Sequence, residues 1–114
     1  MVEWLRLNEP EIAVDPFILG EIRSGIDLLS TGNRRRQLER WFEEGIERIH
    51  CVSWDAATGL RWARLLAALR GSGQFMPIKD SLIAATALTY NLTVATRNTC
   101  DFKKAGVDVV DPFV

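Results

Sequence analysis

Two acidic residues stand where a parallel sheet would bring them together. Asp80 lies at the start of an apolar helical stretch, and Asp101 follows the apolar strand pattern of residues 92–95 by a few positions. In a parallel α/β arrangement, the C-terminal ends of the strands and the N-terminal ends of the following helices share one edge of the sheet, where ligands bind. Carboxylates gathered at that edge suit a hard cation such as Mg²⁺ better than zinc. The spacing therefore predicts a divalent-cation site.

The elements that would position these acids alternate between helix and strand. Apolar residues at helical spacing predict helices over residues 16–29, 34–48, 56–70 and 80–90. Short apolar runs predict strands at residues 12–14, 49–52, 92–95 and 107–110. The end of a further helix is expected over residues 2–7, before Pro10. Strands separated by helices of this length imply a parallel sheet covered on both faces.

Local signals indicate where the helices begin and end. Asp15 before Pro16 is typical of an N-cap followed by the first helical position. Asp55 is expected to cap the third long helix, and Asn91 suits the left-handed position that ends the fourth. Because Asp15 is explained as a cap, we do not expect it to take part in chemistry.

Composition limits the classes of function. The chain has 114 residues, of which 47% are hydrophobic and 25% charged, so we expect residues 1–114 to form a single compact domain. A net charge of -1 means that contact with nucleic acid requires a local basic patch. No apolar run approaches the roughly 20 residues of a membrane span and no signal pattern is present, so we expect a cytoplasmic protein without a membrane partner. Cys51 and Cys100 are expected to be free thiols.

Three segments resemble the PIN-domain ribonucleases, and in particular the VapC-like toxins of bacterial toxin-antitoxin modules. They are GEIRSG at residues 20–25, DSLIAATA at 80–87 and TRNTCDF at 96–102, in the family order, with a typical ending at 109–113. The resemblance covers nearly the whole chain. It implies a PIN-like three-layer sandwich with a mostly parallel sheet flanked by helices. It also implies an acidic pocket that holds Mg²⁺ or Mn²⁺ and cleaves RNA, a cognate antitoxin that restrains it, and a homodimer.

Carried over residue by residue, the resemblance assigns the catalytic and metal-binding pocket to Glu21, Asp80 and Asp101. The assignment is physically consistent, because like charges in one pocket raise one another's pKa unless a divalent cation neutralises them. Such a cation would activate water and offset charge that develops on the phosphoryl oxygens. Thr96 and Asn98 match positions that line the same edge, where a hydroxyl and an amide could orient a carboxylate, a water or a phosphate.

The chain departs from the family pattern at its beginning. Family members open with a strand that ends in Leu-Asp-Thr-Asn or similar, which supplies the central strand of the sheet and the first acid of the pocket. We expect that strand to be missing here, with about twenty residues absent, enough for one strand and part of a helix. Either the start was placed too late or trimmed and the natural protein is longer, which we favour, or this is a truncated and weakened copy. For the chain as it stands we expect weak metal binding and poor activity.

Other interpretations of the same residues stay open. A catalytically inactive PIN-like protein could act through antitoxin binding or dimerisation, and an unrelated α/β domain could bind phosphate. The last is the weakest, because the glycines at 71 and 73 lead to a helix with an acid in its first turn, which repels phosphate. Taken alone, Glu21 is typical of a solvated helix residue and Asp80 of a helix cap. Only their joint occurrence with Asp101 favours a catalytic site.

Overall fold

A computed structural model describes residues 12–46 and 49–112, which form helices joined by short strands. In chain order the elements are β1 (Ala13–Val14), α1 (Pro16–Asp27), α2 (Asn33–Glu44), β2 (His50–Cys51), α3 (Ala56–Gly71), α4 (Ile78–Tyr90), β3 (Val94–Ala95), α5 (Thr99–Lys104) and β4 (Val109–Val110). The chain divides into two compact units. The N-terminal unit contains the described residues up to Ser53, and the C-terminal unit contains those from Trp54 onward.

The N-terminal unit combines two helices with a parallel pair of strands. β1 pairs with β2, and next to this pair the backbone N–H of Val52 donates to the carbonyl of Val14 at 2.8 Å. α1 begins as the sequence predicts, because Oδ1 of the buried Asp15 accepts the backbone N–H of Ile18 at 2.8 Å and Pro16 opens the helix. The buried apolar side chains of this unit are those of Val14, Ile26, Ile46 and Val52.

The C-terminal unit packs helices around a second parallel pair of strands. β3 pairs with β4, and α3 and α4 pack against each other. The caps predicted for these helices are confirmed: Asp55 Oδ1 accepts the backbone N–H of Thr58 at 3.4 Å, and Asn91 ends α4 in the left-handed region at a φ of 55°. The core of the unit is formed by Leu65, Leu69, Met76, Ala84, Ala87, Val94, Phe102 and Val107.

The observed elements differ from the expected ones mainly at their ends. α4 begins at Ile78, two residues before the expected start, so that Asp80 lies within its first turn and Pro77 takes the N-cap position. Each strand is only two residues long, and residues 99–104, for which the sequence pattern predicts no helix or strand, form α5. A helix of six residues carries too few apolar positions for periodicity to identify it. The helix expected at residues 2–7 and the ends of the segments 34–48 and 109–113 lie outside the described residues.

The described part of the chain shows the state of the two cysteines and the character of the helices. Cys51 and Cys100 are free thiols, and both are exposed. None of the described helices has both the length and the apolar character needed to cross a bilayer.

Candidate metal centre

A tight turn after β3 fixes the polar residues that the sequence singles out. The backbone N–H of Thr96 donates to the carbonyl of Val110 at 2.9 Å, which continues the pairing of β3 with β4. The Oγ1 atom of Thr96 then accepts the backbone N–H of Asn98 at 3.0 Å. A hydroxyl that binds the backbone two residues ahead stabilises a turn. Thr96 therefore holds Asn98 at the C-terminal edge of the strand pair, just before α5 begins.

The amide of Asn98 links two carboxylates. Its Nδ2 atom donates to Asp101 Oδ2 at 2.8 Å and lies 3.5 Å from Asp80 Oδ2, the outer limit of a hydrogen bond. Asp80 comes from the first turn of α4 and Asp101 from the first turn of α5. Backbone N–H groups at a helix N-terminus favour negative charge there. The structure thus brings Asp80, Asn98 and Asp101 together at one edge of the β3–β4 pair.

Lys104 completes the surroundings of Asp101. Its Nζ atom lies 3.0 Å from Asp101 Oδ1 and donates to the backbone carbonyl of Phe75 at 3.2 Å. Both oxygens of Asp101 therefore accept a hydrogen bond, one from Asn98 and one from Lys104. The sequence reasoning did not assign a role to this lysine. Its spacing of three residues from Asp101 is a helical spacing, and recognition of α5 as a helix would have indicated the ion pair.

The surroundings shift the pKa values of the two carboxyl groups in opposite directions. Burial raises the pKa of Asp80, and the negative charge of Asp101 raises it further, whereas the hydrogen bond from Asn98 acts against both. The pKa of Asp101 is lowered, chiefly by the hydrogen bond from Asn98 and then by Lys104. Asp101 is consequently the more firmly ionised of the two groups. The repulsion between the two neighbouring carboxylates therefore appears as a raised pKa at Asp80.

A buried hydrogen-bond chain supports the turn of helix that carries Asp80. Ser81 is completely buried, and its hydroxyl donates to the carbonyl of Ile78 at 2.6 Å. The same hydroxyl oxygen accepts the indole N–H of Trp62 at 3.0 Å, which joins α3 to the first turn of α4. Nothing in the pattern of the sequence distinguishes this serine, because its partner lies 19 residues earlier and only the packing of the two helices brings it near.

Glu21 lies in the N-terminal unit, in the middle of α1, where it is exposed. Across residues 12–46 and 49–112, no group of three or more histidine, cysteine, aspartate or glutamate side chains is arranged to hold a metal ion. The pair formed by Asp80 and Asp101 supplies hard oxygen ligands, and their mutual repulsion would be relieved by a divalent cation. The donor set therefore fits such a cation, and the participation of Glu21 stays a prediction.

The chain belongs to the PIN domain family, since the model of the PIN domain matches residues 2–107. It is 31% identical to plasmid stability protein StbB of Pseudomonas syringae pv. tomato, over 99% of this chain and 84% of that protein. It is 30% identical to VapC ribonuclease Y4jK of Sinorhizobium fredii, over 99% of this chain and 78% of that protein. Nucleases of this family are generally metal-dependent.

Solved structures agree with the family assignment. The crystal structure of FitAcB from Neisseria gonorrhoeae matches with a TM-score of 0.81 and 30% identity, over 98% of this chain and 84% of that one. A member of the VapBC family of toxin-antitoxin systems, VapBC-5 from Mycobacterium tuberculosis, matches with a TM-score of 0.73 and 29% identity, over 86% of this chain and 79% of that one. The expected α/β fold of the PIN type, with helices and short parallel strands, is confirmed.

Proposed function

We propose that this chain is a metal-dependent endoribonuclease toxin that cleaves RNA phosphodiesters and is neutralised by a cognate antitoxin. The observation that carries the proposal is the pair of carboxylates, Asp80 and Asp101, joined by the amide of Asn98 at the edge of a strand pair. This pair of carboxylates occurs in a PIN domain. Nearly the whole of this chain is similar to a protein named as a VapC ribonuclease.

In this proposal, Asp80 and Asp101 hold Mg²⁺ or Mn²⁺, and Glu21 is the third acidic residue of the site. The cation, when bound, makes a water ligand a better nucleophile and offsets negative charge on the phosphoryl oxygens. Asn98 keeps the carboxylate of Asp101 oriented through the 2.8 Å hydrogen bond. Thr96 contributes by holding the turn that presents Asn98.

The partners of the proposed toxin follow from its relatives. The similarity to a VapBC toxin-antitoxin system supports an antitoxin partner for this chain, and the family resemblance supports a homodimer. We propose a single PIN-like domain over residues 1–114 that acts in the cytoplasm, where its RNA substrate is found. An inactive PIN-like protein that only binds antitoxin is the alternative that a cleavage assay must exclude.

The test is cleavage of a labelled single-stranded RNA by the purified chain. We expect slow cleavage in Mn²⁺, none in excess EDTA, and recovery of the slow cleavage when Mn²⁺ is added back. Loss of an outer-shell partner of a metal ligand typically costs roughly 10- to 100-fold in metal affinity or activity. Asp80→Asn removes a proposed ligand itself and should slow cleavage by more than that. The matched control is Asp108→Asn, which changes an exposed aspartate just before β4, at the opposite end of that strand from the carboxylate pair.

The same assay examines the third acid. Glu21→Gln should also slow metal-dependent cleavage, whereas Glu43→Gln, which changes an exposed glutamate on α2, should leave it unchanged. Cleavage that persists in EDTA, or that is equal in the wild type and Asp80→Asn, contradicts the proposed enzyme. A chain that binds an antitoxin but never cleaves RNA supports the inactive alternative.

A further inference from the structure

The ion pair between Lys104 and Asp101 places a positive charge against one oxygen of a carboxylate that we propose as a metal ligand. The Nζ atom lies 3.0 Å from Asp101 Oδ1, and the other oxygen, Oδ2, accepts the amide of Asn98. The second contact of the ammonium, at 3.2 Å, is the neutral backbone carbonyl of Phe75 in the connection between α3 and α4. The lysine therefore lies between the proposed metal site and a segment outside it.

We propose that the ammonium of Lys104 competes with the divalent cation for Asp101 and, once displaced, contacts an RNA phosphate. This inference rests on the proposed function and adds a residue to it. A divalent cation at Asp101 Oδ1 would lie next to the ammonium, and because the two positive charges repel each other, binding of the cation disfavours the ion pair. The neutral carbonyl of Phe75 gives the displaced ammonium a partner close to the site.

The chemistry of lysine suits such an exchange. An ammonium on a flexible four-carbon stem has three donors that can be redirected, unlike the rigid fork of arginine. The side chain of Lys104 is 35% exposed and that of Asp101 24%, so water already screens the pair and little energy is lost when it separates. The phosphates of RNA are negatively charged and are repelled by the carboxylates of the site. A released ammonium would bind a phosphate and offset that repulsion.

Lys103 provides a matched control on the same helix. It is the neighbouring residue, it is exposed, and its side chain leaves the helix about 100° away from that of Lys104. Replacement of either lysine by methionine removes one positive charge and keeps the length of the side chain. Only the replacement of Lys104 removes a charge in contact with Asp101.

The first experiment measures Mn²⁺ affinity by electron paramagnetic resonance of the free ion, with no RNA present. We expect Lys104→Met to bind Mn²⁺ about three- to tenfold more tightly than the wild type, because a competing ion pair and a like charge are removed. Lys103→Met should stay within about twofold of the wild type. Lys104→Arg keeps the charge and presents a fork that holds a carboxylate more firmly, so it should bind Mn²⁺ no more tightly than the wild type. A merely structural role for Lys104 would instead weaken Mn²⁺ binding when the side chain is replaced.

The second experiment measures the salt dependence of the KM for RNA cleavage at saturating Mn²⁺. Loss of one phosphate contact to single-stranded RNA should lower the slope of log KM against log salt by about 0.7 in Lys104→Met. An unchanged slope overturns the phosphate contact, and unchanged or weaker Mn²⁺ binding by Lys104→Met overturns the competition. If the wild type itself binds no Mn²⁺, the proposed function fails and the inference fails with it.

Discussion

The hydroxyl of Ser81 provides a sharp test of how the acidic site is supported. This serine follows Asp80 in α4, is completely buried, and connects the indole N–H of Trp62 to the carbonyl of Ile78. Ser81→Ala removes the acceptor of the indole and the donor to the carbonyl, and it changes the side-chain volume by only one oxygen atom. The variant should fold but unfold more easily than the wild type.

The size of the loss can be worked out from these contacts. A buried polar group left without its partner costs about 1–3 kcal/mol. Alanine is a better helix former than serine, which returns about 0.5 kcal/mol within α4. We therefore expect Ser81→Ala to lower the free energy of unfolding by about 0.5–2.5 kcal/mol, which corresponds to a fall in Tm of about 2–10 °C for a domain of this size.

The assay is urea unfolding followed by circular dichroism, with Ser72→Ala as the matched control. Ser72 Oγ also donates to backbone carbonyls, those of Ala68 and Leu69, but the residue is exposed and water can replace those bonds. Its replacement should cost less than about 0.5 kcal/mol. A Trp62→Phe background, which lacks the indole N–H, should reduce the cost of Ser81→Ala by about 1 kcal/mol. Equal costs in both backgrounds, or in both serine variants, would refute the proposed support.

Three further expectations concern the charged groups. Asp101→Asn removes a negative charge beside Asp80 and should lower the pKa of Asp80, which a ¹³C NMR titration of the carboxyl group measures; an unchanged pKa contradicts the coupling. Asp80→Asn should raise the free energy of unfolding at neutral pH by about 0.5 kcal/mol, because burial of the ionised group costs stability. The gain in stability of Asp80→Asn should disappear as the pH falls through the folded-state pKa of Asp80 towards 3.8. Below that pH the carboxyl of Asp80 is protonated in both the folded and the unfolded chain, so its ionisation no longer costs stability. A gain in stability that persists in acid counts against the interpretation. Asp15→Ala should lower the free energy of unfolding by about 1 kcal/mol through loss of the 2.8 Å cap to Ile18, and Asp15→Asn should lose less; equal losses in urea unfolding would exclude the cap as the cause.

Local sequence signals were sufficient to predict the longer helices. Asp15 with Pro16, Asp55, and Asn91 each mark a helix end through an interaction with the nearby backbone, and all are found where expected. Such signals act within three or four residues, so they can be recognised without knowledge of the tertiary structure. The strands were placed correctly but expected to be longer, because an apolar run does not show how many of its residues find a hydrogen-bonded partner.

The arrangement around the acids was harder to predict. The juxtaposition of Asp80 with Asp101 follows from the shared edge of a parallel strand pair, which a pattern of strands and helices implies. The ion pair of Lys104 depends on α5, whose six residues are too few to show periodicity. The contact of Trp62 with Ser81 depends on how two helices pack, and nothing local in the chain encodes it.

The most direct measurement on the paired carboxylates is the binding of Mn²⁺ to the wild-type chain and to Asp80→Asn, Asp101→Asn and Asp108→Asn. We expect the wild type and Asp108→Asn to bind Mn²⁺ with the same affinity, and each of the other two variants to lose at least about tenfold, because each removes a charged ligand from the same cation. Mn²⁺ binding that is equal in all four proteins would contradict a metal site formed by Asp80 and Asp101.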